Sequence, residues 1–266
     1  MISLADAHRF IVLYPEQSPR ANILRCWRWF DRETMNGAGE AELISRLVRN
    51  IVAHYPIERS RIYLAGISAG AAMANVLAFC YGAMFAACGI VAGVMYRAAD
   101  STLEAAAVLR RGSRASPQAV AGEAARRATP RVSFVPALVI HGDSDSTVHP
   151  RNAEQIIQQL RAFAELADIP SAKLVASEEK RVTGAGRAYR QQDYLRKDRV
   201  LLRNVVVEGL GHAWSGGDAR HRFNDAAGPS ASQLIWDFVS GFRRAPRRRL
   251  RYRPRWWTRA RSIFHR

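Results

Sequence analysis

Gly66-Ile67-Ser68-Ala69-Gly70 constrains the fold of this chain more than any other segment, because of what flanks it. Before it runs Arg61-Ile62-Tyr63-Leu64-Ala65, which is short, apolar and β-favouring. After it runs Ala71-Ala72-Met73-Ala74-Asn75-Val76-Leu77-Ala78, a strong helix former. Strand, sharp turn and helix is the setting that a G-x-S-x-G nucleophile elbow requires. Both flanking glycines are expected to have a steric reason, since side chains beside the serine would strike the strand and helix. The turn lifts the hydroxyl into the open, and the helix N-terminus favours developing negative charge.

A bare G-x-S-x-G is weak evidence, because its residues are common. Two later segments strengthen it. The first is Pro136-Ala137-Leu138-Val139-Ile140-His141-Gly142-Asp143-Ser144-Asp145-Ser146-Thr147-Val148-His149-Pro150. Residues 137 to 140 read as a buried strand, and a polar turn with two aspartates follows. The second is Val205-Val206-Val207-Glu208-Gly209-Leu210-Gly211-His212-Ala213-Trp214-Ser215-Gly216-Gly217, another buried strand leading into a glycine-rich loop with one histidine. Functional groups in open parallel sheets sit at the carboxyl ends of strands. Ser68, then Asp143 or Asp145, then His212 is the order of an α/β-hydrolase.

That chemistry needs three groups. A serine hydroxyl is a poor nucleophile at neutral pH, so an imidazole must take its proton during attack. A carboxylate fixes the imidazole tautomer and stabilises the imidazolium. Asp145 is favoured over Asp143 because it lies deeper in the turn. Asp143 directly follows Gly142 and could cap the turn through its own backbone. His141 ends a buried strand and reads as a structural histidine, and His149 precedes a proline and reads as a helix entry. His212 alone sits on a loop after a late strand.

Together the three motifs resemble the polyhydroxybutyrate depolymerase family of esterases, which is related to feruloyl and acetylxylan esterases. The resemblance extends upstream through Tyr14-Pro15-Glu16-Gln17, Arg25-Cys26-Trp27-Arg28-Trp29-Phe30 and Gly37-Ala38-Gly39-Glu40, and covers most of residues 5 to 242. It implies an α/β-hydrolase three-layer sandwich with a mostly parallel sheet. By motif position it implies Ser68 as nucleophile, Asp145 as acid and His212 as base. The implied activity is hydrolysis of a small ester or polyester, with short hydroxyacid esters first and feruloyl or acetyl sugar esters second. Secretion is implied too.

Family members carry further strands and a His-Gly-Cys-like loop upstream of the segment matching Arg9 to Tyr14, which is itself expected as a strand. Only eight residues precede that segment here, so the first sheet strands are expected to be missing. The oxyanion hole is then expected to keep one donor, the backbone N–H of Ala69. Losing one such donor costs about 10²–10³ in rate. An inactive truncated fragment is therefore the alternative reading. Cys26 would be left without the partner that the family implies.

Alternation of strands and helices implies an α/β sandwich in one domain over residues 1 to 242. Residues 42 to 55 are expected as an amphipathic helix with Leu43, Leu47 and Ile51 beside Ile44, Val48 and Val52. Helices are also expected from Arg151 to Leu166 and from Ser232 to Phe242. A hairpin is expected at residues 173–183 and 187–195. Residues 101 to 131 read as a mobile helical cap or a poorly ordered insertion. Trp214, two residues from His212, is a candidate pocket wall, and Trp29 is a weaker substrate-contact candidate. The three cysteines form no closed disulfide set, no cysteine–histidine spacing suggests a metal, and the chemistry calls for no cofactor.

Composition shifts at Arg243. Residues 243 to 266 hold 11 arginines and no acids, and so carry +11 of the formal +17. With Tyr252, Trp256, Trp257 and Phe264 they read either as a disordered tail or as an anchor for an anionic surface, lipid or nucleic acid. No signal-peptide pattern follows Met1 and no stretch is long and apolar enough to span a membrane.

Overall fold

In this computed structural model, residues 1–127, 134–167 and 173–244 are described. The elements run α1 (Ile2–His8), α2 (Arg32–Met35), α3 (Gly39–His54), β1 (Tyr63–Ile67), α4 (Ala69–Cys80), β2 (Ala87–Val91), α5 (Thr102–Arg111), α6 (Pro117–Arg127) and β3 (Ala137–Gly142). Then come α7 (Arg151–Ala167), β4 (Val175–Ala176), β5 (Lys180–Val182), β6 (Tyr189–Arg196), β7 (Arg199–Val207), β8 (Trp214–Ser215), β9 (Asn224–Asp225) and α8 (Ala231–Val239).

One seven-stranded sheet has the order β1-β2-β3-β7-β6-β4, with β5 also paired to β6. Strands β1, β2, β3 and β7 are mutually parallel. The β6–β7 pair is antiparallel, as are the pairs of β4 and β5 with β6. Parallel neighbours need helical crossovers, and the helices of those crossovers cover the sheet. Every residue of β2 and β3 is accordingly buried. Their side chains alternate between two cores. Ile90 and Val139 face the α4, α6 and α7 side, whereas Val91, Leu138 and Ile140 face α8.

Helix α4 is apolar all round, and residues Ala71 to Phe79 are all buried. Met73, Val76 and Leu77 each contribute on the order of 1.5–3 kcal/mol by leaving water. Helix α7 turns Ile156, Leu160 and Phe163 inward, at helical spacing. Upstream, Glu40 accepts from Gln17 Nε2 at 2.6 Å and from the Arg28 backbone N–H at 2.6 Å. That carboxylate fastens two otherwise irregular segments to the start of α3.

Three expectations need correcting. Residues Arg9 to Tyr14 form no strand. They follow α1, whose C-cap Arg9 is left-handed at φ 56°, and Phe10 stacks on Trp236 at 4.5 Å. A strand exists only where a partner takes its backbone groups, and no described strand pairs with this segment. The amphipathic helix expected over residues 42 to 55 is present as α3, with its apolar stripe only half covered. Ile44 is buried, whereas Leu43 and Leu47 are 52% and 40% exposed. Strand β1 is the sheet edge, so no described strand lies beyond it to cover them.

Residues 101–127 are not a loose cap but two docked helices. Asn152 Nδ2 donates to Val108 O at 3.0 Å, and Gln155 exchanges two 2.8 Å hydrogen bonds with the Ser113 backbone. Finally, β7 begins at Arg199, well before the expected strand start at Val205, and forms a second hairpin with β6 across Lys197-Asp198. The expected hairpin at residues 173–195 is present as β5–β6, in register Val182 to Tyr189. The arginine-rich tail beyond Arg244 lies outside the described residues. No helix among the described residues is long and apolar enough to cross a membrane.

Candidate active site

The elbow forms where strand β1 meets helix α4. Ser68 is the residue between them, with φ 56° and ψ −124°. Positive φ strains a residue with a side chain, by on the order of 1–3 kcal/mol. Two hydrogen bonds hold Ser68 there: its N–H donates to Val91 O at 3.0 Å and its carbonyl accepts from Ala72 N at 2.9 Å. Ala69 opens α4, so its N–H has no intrahelical acceptor and is free for an anion.

The two glycines of the motif differ. A Cβ on Gly66 would strike the Gly70 carbonyl group and come within 2.7 Å of Ala71 N. A Cβ on Gly70 would meet nothing within 4 Å. The expectation that both are sterically required is therefore wrong for Gly70. Gly66→Ala is expected to force strand and helix apart and lower the melting temperature sharply, by several kcal/mol of stability. Gly70→Ala is expected to hold or gain about 0.5–1 kcal/mol, because alanine suits a helix interior better. Thermal melts of both variants check this, and equal losses at the two positions would refute it.

Asp145 and His212 meet. His212 Nδ1–H donates to Asp145 Oδ2 at 2.8 Å. The other carboxylate oxygen, Oδ1, accepts from the backbone N–H groups of Thr147 at 2.9 Å and Val148 at 2.8 Å. Asp145 is 3% exposed. Burial pushes its carboxyl pKa up, but hydrogen bonds from His212 and the Val148 amide outweigh it and hold the group below its ordinary value. The buried carboxylate therefore stays ionised, as a partner for an imidazolium must.

Asp143 does something else. Its side chain accepts from Gly209 N–H at 2.7 Å, so it ties the acid turn to the histidine loop rather than capping its own backbone. Ser144 N donates to Leu210 O at 3.2 Å, and a Cβ on Gly142 would collide with that same carbonyl. The two loops thus pack backbone against backbone, which fixes the reach from Asp145 to His212.

His141 is fully buried at the end of β3, and its Nε2–H donates to Val148 O at 2.7 Å. Burial pushes its pKa down, so the ring is neutral. His149 accepts the Arg151 N–H at Nδ1, 3.2 Å away, and marks the entry to α7 as expected.

Three strand spacings separate β1 from β7, about 14 Å at the usual pitch. To serve Ser68, the imidazole on the loop from Glu208 to His212 has to reach back over β2 and β3 toward the elbow. Among the described residues, Ser68 Oγ and His212 Nε2 make no hydrogen bond. The Asp–His pair is assembled. Unliganded sites often leave the serine–histidine bond long until substrate binds.

Two aromatic assignments change. Trp29 is buried in the α4-side core, edge-on to Phe30 at 5.4 Å, so it does not face a substrate. Trp214 is half-buried, and its indole N–H donates to Ser232 Oγ at 3.1 Å, bracing the histidine loop on α8. Sequence reasoning missed Phe223. It stands edge-on to the His212 ring at 6.0 Å, is 59% exposed and has φ 61°. A lone phenylalanine in a polar loop carries no periodic signal that would have marked it. No group of three or more histidine, cysteine, aspartate or glutamate side chains that could hold a metal occurs among the described residues.

Comparison with known proteins gives a consistent picture. Residues 1–183 match the family described as "Esterase PHB depolymerase". The poly(3-hydroxyalkanoate) depolymerase C of Paucimonas lemoignei is 33% identical over 176 residues, covering 63% of this chain and 41% of that protein. Acetylxylan esterase A of Talaromyces purpureogenus is 30% identical over 169 residues, covering 59% of this chain and 42% of that protein. The chain thus matches less than half the length of either relative. Among solved structures, an acetyl xylan esterase from Aspergillus awamori superposes with a TM-score of 0.61 at 18% identity, covering 84% of this chain and 82% of that one. At that identity the likeness speaks for the fold alone. The family match contains Ser68 and Asp145 and ends before His212, which only the folded geometry brings to Asp145.

Proposed function

Because the chain belongs to the Esterase PHB depolymerase family, we propose that it is a serine esterase that hydrolyses carboxylic esters through an acyl-enzyme. The observation that carries this reading is the 2.8 Å bond from His212 to a buried, ionised Asp145, on the same sheet edge-to-centre array as the strained Ser68 elbow. Ser68 Oγ attacks the ester carbonyl while His212 Nε2 takes its proton. Asp145 holds the ring so that Nε2 is the free nitrogen, and stabilises the imidazolium. The Ala69 N–H faces the developing oxyanion. Collapse of the tetrahedral intermediate expels the alcohol, which leaves with the proton from His212. Water then attacks the acyl-enzyme, again losing its proton to His212, and Ser68 is regenerated.

The substrate class proposed is a short-chain acyl ester, hydroxyacid oligomers first and acetylated sugars second. The names of the relatives support this, one a poly(3-hydroxyalkanoate) depolymerase and the other an acetylxylan esterase. Phe223 supports it physically, since it sets apolar surface beside His212. Secretion is proposed on the same resemblance. The arginine-rich residues from 243 onward are proposed as a contact for an anionic surface, on their charge alone.

A panel of p-nitrophenyl acetate, butyrate and palmitate, hydroxybutyrate oligomers, acetylated xylan and methyl ferulate tests the assignment. Turnover is expected to fall as the acyl chain lengthens. A preference for palmitate would overturn the substrate class. No turnover on any ester would sink the esterase reading.

A further inference from the structure

Among the described residues, His141 is the buried titratable side chain beside the proposed site that the mechanism above leaves unused. It is the next-to-last residue of β3, just before Gly142, and sits 1% exposed. Its ladder position opposite Val206 puts it between the acid turn and the strand that leads to the histidine loop.

Its contacts form a closed circuit. Nε2 lies 2.7 Å from Val148 O and 3.6 Å from Asp145 Oδ2. A carbonyl can only accept, so Nε2 carries the proton and donates to it. The same Val148 gives its N–H to Asp145 Oδ1 at 2.8 Å, and Asp145 Oδ2 takes the His212 proton at 2.8 Å. Residue 148 is therefore gripped at both polar groups, one by the carboxylate and one by the imidazole. The remaining nitrogen, His141 Nδ1, is buried and has no hydrogen-bond partner among the described residues. Burying an imidazole with one nitrogen unpaired is unfavourable relative to a hydrocarbon of similar size. Space-filling alone does not account for this residue.

We propose that His141 is a positioning residue, which locks the Val148 end of the 145–148 turn and thereby aims Asp145 at His212. The proposal rests on the esterase reading for its kinetic consequence but not for its geometry. Asp145 already has its two backbone donors, so what His141 adds is a fixed orientation of the turn that supplies one of them. It acts through Asp145 and touches no reacting atom.

Three variants test it: His141→Leu and His141→Asn, which remove a donor able to reach Val148 O, and His141→Gln, whose amide N–H extends to about the Nε2 position. The first readout needs no turnover. It is the downfield proton resonance of the His212 Nδ1–H held by Asp145, followed in full-length wild type and variants. The His141→Leu and His141→Asn proteins are expected to lose or broaden that resonance, while the His141→Gln protein keeps it. The second readout is kcat/KM on p-nitrophenyl acetate, expected to fall about ten- to a hundredfold in the first two variants and to recover in the third. If the His141→Leu protein does not fold, the His141→Asn protein decides. Variants that melt earlier yet keep both the resonance and kcat/KM would overturn the proposal and leave His141 as packing. A wild type that turns over no ester sinks the esterase reading instead, and the resonance still decides the positioning role.

Discussion

Replacing Ser68 by alanine is expected to abolish covalent labelling by a fluorophosphonate and to lower ester hydrolysis about 10⁴- to 10⁶-fold. The reason is that this one oxygen forms the bond to the acyl carbon, and nothing adjacent can substitute. Ile67 and Ala69 carry no nucleophile, and the hydroxyls of Ser144 and Ser230 are committed as a donor to Asp143 and as the cap of α8. The backbone is expected to tolerate the change. Position 68 keeps positive φ in either case, and the two backbone hydrogen bonds of that residue do not involve its side chain. The melting temperature should therefore move little while labelling disappears, which separates lost chemistry from lost fold. Mass spectrometry of the labelled protein makes the check. A label on another serine, or unchanged labelling of the Ser68→Ala protein, would sink the nucleophile assignment. His212→Ala should weaken labelling strongly too, because the proton acceptor is gone.

How much of this is legible in the sequence depends on whether a feature is local. The elbow is legible because strand, turn and helix are encoded within about a dozen residues around Ser68. Part of the parallel core is legible because Ala137 to Ile140 of β3 is a short unbroken apolar run, the mark of a strand covered on both faces. Asp145 can be preferred over Asp143 from its depth in the turn. The true distinction is a partner 67 residues away, since Asp145 faces His212 and Asp143 faces Gly209.

What fails depends on neighbours that periodicity does not specify. Leu43 and Leu47 fit an apolar stripe, yet whether a stripe is covered depends on which strand is the sheet edge. Arg9 to Tyr14 has strand-like composition, but a strand is a statement about a partner. Gly70 looks like the twin of Gly66 by symmetry of the motif. The chain is not symmetric there: Gly66 abuts the carbonyl group of Gly70, while the Gly70 Cα faces open space.

Asp145→Asn should cost about 10⁴-fold in kcat, whereas Asp143→Asn should cost at most a few-fold. Both substitutions keep size and shape and differ in what the oxygen was doing. An amide at 145 can still present one oxygen to the Thr147 and Val148 amides, so the turn has a way to stay closed. The atom facing His212 Nδ1 then becomes an NH₂ group, a donor against a donor. The ring is driven to the other tautomer, with its proton on Nε2, where it cannot accept one from Ser68. The imidazolium also loses the negative charge 2.8 Å away that stabilises it. Some stability is expected to go as well, because Asp145 is a buried carboxylate whose hydrogen bonds hold its pKa down; at neutral pH the folded form gains from that charge, and the gain is lost as pH falls through the acid range. Asp143 is exposed, and its amide analogue can still accept from Gly209 through its remaining oxygen, so the loops stay tied. Steady-state kinetics with p-nitrophenyl acetate across the two variants and wild type gives the comparison. Equal losses at 143 and 145, or the larger loss at 143, would show that the carboxylate facing His212 is not the one that the chemistry uses.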